Sequence, residues 1–307
     1  MLGRYLWRKR DEVNIKKAVA AFESAIDLDP SYARAHAGLA DSYVLMNLIA
    51  YGKIRTKETM TKARAAAREA IKIDPENAEA HTSLGVISTR YDWNWQEAER
   101  EFAKAIDTDP EYAPAHFWYS DLLAVTGRAS ESVAEAEKAR ELDPFSPLAE
   151  YNYGRTLYYG RRYDEALDFL KRSGFASELK IRYLIGLTLL QKGRYREALG
   201  VLEEISGENK MLAVAALGYT YGKLNRRTDA RKLIRYLDRL PKDESTVSQE
   251  IAIIHIGLGE RDEALRYLKE VIEDRHGAVV ALKVEPLFDS LRDDPRFDLL
   301  LGTMALN

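Results

Sequence analysis

Apolar residues along this chain recur at helical spacing, in paired runs separated by short polar breaks. The clearest pair lies in residues 78–110, AEAHTSLGVISTRYDWNWQEAEREFAKAIDTDP. Its first run carries His81, Leu84, Gly85 and Ser88, with Val86 and Ile87 beside Leu84. Its second carries Ala98, Phe102 and Ala105 and stops at Asp109-Pro110. Positions three, four and seven apart share one face of a helix, so each run predicts an amphipathic helix with a single apolar stripe. Gly85 and Ala98 lack bulk, which lets the two helices approach closely. Pro110 has no N–H to donate and disfavours helix at Asp109, so it ends the second helix. A hairpin of this size cannot bury its own apolar face and must stack on a neighbour.

The pair recurs along the whole chain. Ala18, Phe22 and Ala25 end at Asp29-Pro30, preceded only by the short run Gly3-Arg4-Tyr5-Leu6-Trp7, a partial first unit. The second unit opens with His36, Leu39, Ala40 and Tyr43 and continues at Ala63, Ala67 and Ala70 to Asp74-Pro75. The 45 residues from Ala18 to Ala63 exceed a 34-residue period by 11. That excess is placed in a longer loop around NLIAYGKIRTKE, with Thr56, followed by Glu58, as N-cap of the next helix. From Ala63 to Ala98 is 35 residues, and the one extra falls at the turn Tyr91-Asp92-Trp93-Asn94-Trp95.

The fourth unit has His116, Tyr119, Ser120 and Leu123, then Ser132, Ala136 and Ala139 to Asp143-Pro144. The fifth has Tyr153-Gly154 and Leu157, a turn at Gly160, then Ala166 and Leu170; both follow at 34 residues. Units with Gly186, Gly193 and Ala198, and with Gly218, Tyr221 and Ala230, come at 32, set off by the breaks SGFASELK and SGENK. A last unit carries Ile251, Ala252, His255, Gly259, Ala264 and Leu268. The end, VVALKVEPLFDSLRDDPRFDLLLGTMALN, leaves the repeat. It predicts a closing helix and then a Pro-interrupted amphipathic segment, with Leu287, Phe288, Leu291, Phe297 and Leu300 covering the last hairpin, as a solenoid requires. The expected organisation is a repeat array over residues 1–280 and a cap over 281–307.

These residues resemble the tetratricopeptide (TPR) repeat, W-x2-L-G-x2-Y, then A-x3-F, then P in a unit of 34; residues 78–110 keep Leu-Gly, Ala-x3-Phe and Pro, with His and Ser at the two aromatic places. The phrases DPSYARAHAGLADSY, EAHTSLGVISTRYDWNWQEAEREF, ARELDPFSP and LRDDPRF resemble the repeat half of large bacterial regulators. Those carry a winged-helix DNA-binding domain, a Ser/Thr kinase or a nucleotide cyclase upstream, and none of these lies in the 307 residues. The resemblance implies an all-α, right-handed superhelical solenoid of antiparallel helix hairpins, about eight in number, acting as a protein- or peptide-binding scaffold. The alternative is the regulatory module of a larger signalling or transcription-regulating protein.

In this family the first helix of each hairpin lines a concave groove. Mapped here, that places Phe117, Asp121, Tyr151, Arg155, Tyr158, Tyr159 and Tyr183 on the inner face of the middle units as a peptide-binding groove. Tyr and Arg suit such a surface, offering apolar area and hydrogen bonds together. The competing reading has Tyr158 and Tyr159 filling contacts between hairpins. The Lys and Asn carboxylate clamp of chaperone-tail adaptors is replaced by Ala37 and Asp41, and by Thr82 and Val86, which argues against that role.

Composition narrows the partners. Charged residues are 31% and apolar residues 46%, as in a soluble, ordered protein, and a net charge of -3 points to neither nucleic acid nor an anionic membrane. The absence of cysteine removes disulfides, thiolate nucleophiles and Cys-ligated zinc. No run approaches 18 apolar residues and the first residues hold no apolar signal core, so a cytoplasmic location is expected. His36, His81 and His116 invite a metal reading, but they hold equivalent places in successive units, too far apart to share an ion. There is no phosphate loop, H-E-x-x-H or G-x-S-x-G, so no enzyme, cofactor or metal site is expected. Glu203-Glu204 and Asp293-Asp294 read as solvated helix ends or turns. Trp93 and Trp95 pack the third hairpin's turn or, alternatively, form an exposed anchor for a partner.

Overall fold

A computed structural model describes residues 1–49, 56–240, 247–273 and 277–306, and among these there are helices and turns but no strand. The helices alternate in hairpins and fall into two compact units. In the first, Met1–Leu122, α1 (Leu2–Trp7) pairs with α2 (Glu12–Leu28), α3 (Ala33–Ile49) with α4 (Thr56–Ile73), and α5 (Ala78–Ile87) with α6 (Trp95–Thr108); α7 (Ala113–Val125) begins the fourth hairpin. In the second, α8 (Ala129–Leu142) is followed by the pairs α9 (Pro147–Tyr159) and α10 (Tyr163–Arg172), α11 (Leu179–Gln191) and α12 (Tyr195–Glu208), α13 (Lys210–Lys223) and α14 (Arg227–Leu237), and α15 (Val247–Leu258) and α16 (Arg261–Glu273). No described helix is long and apolar enough to cross a membrane. The fold is the all-α hairpin stack that the repeat implies.

The third hairpin shows the capping, and the third, fifth and sixth share a packing device. Asn77 and Asn94 accept from the Ala80 and Glu97 N–H groups and cap α5 and α6. The Cβ that Gly85 lacks would come within 2.6 Å of the Phe102 ring, and those of Gly154 and Gly186 within 2.4 and 2.9 Å of Leu170 and Leu202. The bulky residue of the second helix thus fills the space that a glycine leaves on the first. The extra residue of the third unit is absorbed by a π-helical turn, Ser88–Asp92, as one inserted residue in a helix should be.

Among the described residues, the turn inside a hairpin carries one left-handed residue two positions before the second helix. Glycine fills this place at Gly127, Gly193 and Gly259, and Asn225 fills it in the seventh hairpin. Arg10, Trp93 and Arg161 fill it in the first, third and fifth, with φ of 52°, 57° and 62°.

Three expectations change. The break SGENK reduces to Asn209, which caps α13, because α12 runs on through Ser206 and Gly207 to Glu208. Consequently Glu203 and Glu204 lie within α12, on its exposed face. The closing helix is replaced by two 3-10 turns, Gly277–Ala281 and Pro286–Leu291, before α17 (Pro295–Gly302), since Pro286 and Pro295 interrupt the helical backbone. The long loop of the second unit and the Thr56 side chain lie outside the described residues, although α4 does begin at Thr56.

Leu287, Phe288, Leu291 and Phe297 are fully buried and Leu300 is half-buried. The second 3-10 turn packs on α15 and α17 packs on α16. The seventh and eighth hairpins meet more closely than the period suggests. A Cβ on Gly222 of α13 would lie 2.3 Å from the Gly257 carbonyl carbon on α15, and one on Gly257 would lie 2.4 Å from the Tyr219 Cα. Here backbone meets backbone.

Candidate functional site

Of the expected groove residues in the second unit, Tyr151, Arg155, Tyr158 and Tyr159 lie on α9 and Tyr183 on α11. Ser146 caps α9, accepting from the Ala149 N–H at 3.3 Å, and Pro147 starts it with a preset φ. Ala149, Asn152, Thr156 and Leu157 are buried, so Tyr151, Arg155 and Tyr159, four apart, form a half-buried stripe beside them. The Arg155 guanidinium lies 5.6 Å from the Tyr151 ring centre and 5.7 Å from that of Tyr159, and its Nη2 donates to Asn152 Oδ1 at 2.8 Å. This is a cation–π ladder, which holds a positive charge between two amphipathic rings.

Tyr158 behaves differently. It has no exposed surface, and its hydroxyl donates to Glu285 Oε1 at 2.6 Å. Burial first, then the Glu285 charge, pushes its phenol up. Burial and then Glu285 also push up the half-buried Tyr183 of α11, where Tyr151 and Glu250 add to the effect. Burial pushes the Glu250 carboxyl on α15 up to about 7. Glu285 itself is raised by burial, against hydrogen bonds from Tyr158 and the Leu287 N–H. Next to Tyr158, the Arg161 guanidinium donates to the Val284 carbonyl at 2.8 Å and to Asp289 at 2.6 Å.

Thus Tyr151, Arg155 and Tyr159 form one ladder, with Tyr183 near enough to share its field, and Tyr158 is engaged by the C-terminal segment. Phe117 and Asp121 belong to the first unit. Phe117 meets Trp118 edge-on with ring centres 4.9 Å apart. Asp121, 1% exposed, is ion-paired with Arg90, whose guanidinium lies over Trp118. The sequence reading missed Arg161 and Glu285. Alignment of the turns would have flagged Arg161, which stands where other units carry glycine. Nothing local flags Glu285, whose partner lies 127 residues away.

The three equivalent histidines have a structural duty. The Nε2 atoms of His36, His81 and His116 lie 3.0, 3.1 and 3.0 Å from the carbonyls of Pro30, Pro75 and Pro110, six residues earlier. Each ring ties the start of its helix to the preceding Asp-Pro turn. His81 also places Nδ1 2.6 Å from Glu101 Oε2, so both ring nitrogens face oxygen acceptors. Burial disfavours its charge, but the hydrogen bonds to Glu101 and Pro75 outweigh this and raise its pKa; His81 lowers that of Glu101 in turn, again against burial.

His81 therefore stabilises the fold below its ordinary pKa of about 6.5 and loses that contribution as pH rises through the raised value. Glu101 contributes above about 4.3 and loses it as pH falls. His81→Phe should cost about 1–3 kcal/mol near pH 5.5 and less at pH 9. Urea melts at the two pH values measure this, and an equal cost at both would mean that the ring acts by shape alone.

Trp93 is 7% exposed, and Trp95 is half-buried against the cluster of Val86, Ile87, Ala98 and Phe102. Trp93 thus packs the turn from a buried place, while Tyr91 and Trp95 pack on the same cluster half-buried. Among the described residues no three His, Asp or Glu side chains are grouped to hold a metal ion.

Comparison with known proteins bears on the fold. The family profile described as "Anaphase-promoting complex, cyclosome, subunit 3" matches residues 110–205. No curated protein matches in sequence. The APC/C hetero-tetramer Cut9-Hcn1 is similar in structure, with a TM-score of 0.60, 16% identity, and 94% of this chain and 52% of that one covered. Yeast Tom70 gives a TM-score of 0.56 and 15% identity over 95% of this chain and 62% of that one. A tetratricopeptide repeat protein from Parabacteroides merdae gives 0.56 and 14% over 81% and 93%. The chain spans less than two thirds of the first two, and identities this low speak to fold alone. In its fold, the chain is an all-α stack of helix hairpins of the tetratricopeptide-repeat type.

Proposed function

We propose that the chain is a protein-binding scaffold, and that a peptide segment of its partner lies on the inner face of the second unit against Tyr151, Arg155, Tyr159 and Tyr183. The observation that carries this is the Tyr151–Arg155–Tyr159 ladder, a partly exposed row of rings and charge on one helix. Such a row offers stacking area, hydrogen-bond donors and a guanidinium for a carboxylate, without the entropy cost of ordering flexible side chains. The role is binding, not turnover.

The test begins with a partner captured from the native host and identified by mass spectrometry. Calorimetry then compares the parent with Tyr151→Ala, Arg155→Ala and Tyr159→Ala. Two of the three should each cost more than about 2 kcal/mol of affinity, with helical content unchanged. Unchanged affinity in all three overturns the placement.

The phrases shared with bacterial regulators favour a second reading, in which the scaffold reads its partner on behalf of an effector domain of a larger protein. The encoding gene decides that point: an effector domain in the same reading frame supports it.

A further inference from the structure

The C-terminal segment does more than cover the last hairpin. Cover of α15 and α16 comes from buried apolar side chains such as Leu287, Phe288 and Phe297. Polar groups of the same segment reach the fifth hairpin instead. Glu285 accepts from the Tyr158 hydroxyl at 2.6 Å, and Arg161 holds the Val284 carbonyl at 2.8 Å and the Asp289 carboxylate at 2.6 Å. Capping the end of a solenoid requires none of these contacts, which lie three hairpins away from that end.

A second observation concerns the same place. Left-handed backbone is costly for any residue with a Cβ, and it persists where the surroundings hold it for a purpose. In the fourth, sixth and eighth hairpins glycine takes this position, and open space surrounds each of the three. Asn225, of a residue type that tolerates this conformation, takes it in the seventh, whereas Arg10 lies over the Trp7 ring and Trp93 is buried. Arg161 uses its side chain on the C-terminal segment.

We infer that Tyr158 and Arg161 form a receptor site for an acidic turn, that the Val284 carbonyl and the Glu285 and Asp289 carboxylates of residues 283–291, KVEPLFDSL, are its built-in occupants, and that a partner protein presenting a similar turn displaces these polar contacts while Leu287, Phe288 and Leu291 stay packed. The occupants show what the site recognises: one carboxylate for the tyrosine hydroxyl, and a main-chain carbonyl with a second carboxylate for the guanidinium, around a Pro-Leu-Phe bend. The turn is preorganised, because Glu285 also accepts from the Leu287 N–H at 3.1 Å and Arg292 holds Asp289 at 2.7 Å. Tyr159, with its ring centre 5.7 Å from that of Tyr158, joins this site to the Tyr151–Arg155 ladder. The inference rests on the scaffold reading and adds the chemistry of the partner and a competitor for it.

The test uses full-length chains and a labelled peptide of residues 281–292. Glu285→Gln with Asp289→Asn loosens the built-in occupants while leaving the receptor intact. This chain should bind the peptide about tenfold more tightly than the parent, because a larger fraction of molecules has the site open. Adding Arg161→Gly, which suits the turn as Gly127 and Gly193 suit theirs, should remove that gain. Equal binding by the parent and the loosened chain, or no effect of Arg161→Gly, overturns the inference while leaving the Tyr151 and Arg155 tests untouched. Hydrogen exchange supplies a second readout that does not depend on peptide affinity. In Arg161→Gly the amides of 284–291 should exchange about tenfold faster while those of 297–301 keep the parent rate. If both stretches open together, the segment is a single structural cap and the inference fails.

Discussion

Gly222→Ala is expected to lower stability by about 3 kcal/mol, although it adds only one methyl group. In a helix this change ordinarily stabilises, because alanine loses less conformational freedom on folding. Here the new Cβ would fall 2.3 Å from the Gly257 carbonyl carbon and 2.7 Å from the Leu258 nitrogen, so the obstruction is backbone and cannot rotate away. Helices α13 and α15 would have to part, loosening the cluster of Val214, Ile251, Ile254 and Leu258 between them. Gly200 provides the contrast. It lies within α12, exposed, with nothing within 4 Å of its missing Cβ, and Gly200→Ala should stabilise by about 0.5–1 kcal/mol. Urea melts of the two variants must move in opposite directions. Equal shifts would show that the close approach of α13 and α15 is not kept in solution.

Phe297→Ala is expected to cost about 3–5 kcal/mol, and removal of residues 279–307 should leave the protein aggregated or its last hairpin unfolded. Phe297 is 0% exposed and stands 6.4 Å, centre to centre, from the equally buried Phe288. Without the segment, the apolar faces of α15 and α16 that pack on it meet water. Circular dichroism and light scattering check the truncation, and a denaturant melt checks the point variant. A truncated chain that stays monomeric with full helical content would mean that the segment is dispensable for the fold. The inference of a displaceable turn is compatible with a costly Phe297→Ala, because it exchanges only the polar contacts of Val284, Glu285 and Asp289 while Phe288 stays packed against Phe297.

The hairpins were legible in the sequence because everything that makes them is local. A 3.6-residue period, an Asp-Pro stop and a capping asparagine act within a few positions of where they stand. The close approach of the two helices at Gly85 was legible for the same reason, although the sequence matched Gly85 with Ala98 and the structure sets the Phe102 ring against it. Even the extra residue at Tyr91–Trp95 could be located from the spacing, although the structure takes it up as a π-helical turn at Ser88–Asp92. Of the groove residues, those four apart on α9 could be aligned from the helical period.

Tertiary structure alone decided what each of those residues faces. Tyr158 and Tyr159 are neighbours with the same side chain, yet one is sealed against Glu285 and the other is half-exposed beside Arg155. Tyr158 meets the C-terminal segment, whose path joins positions 123 to 128 residues apart. The contact of Gly222 with Gly257 is likewise an encounter between two first helices, set by how hairpins stack. A repeat encodes its own unit in its own residues. Where two units press backbone to backbone, and where the end of the chain returns to an earlier hairpin, depends on packing summed over many units, which no single stretch of sequence contains.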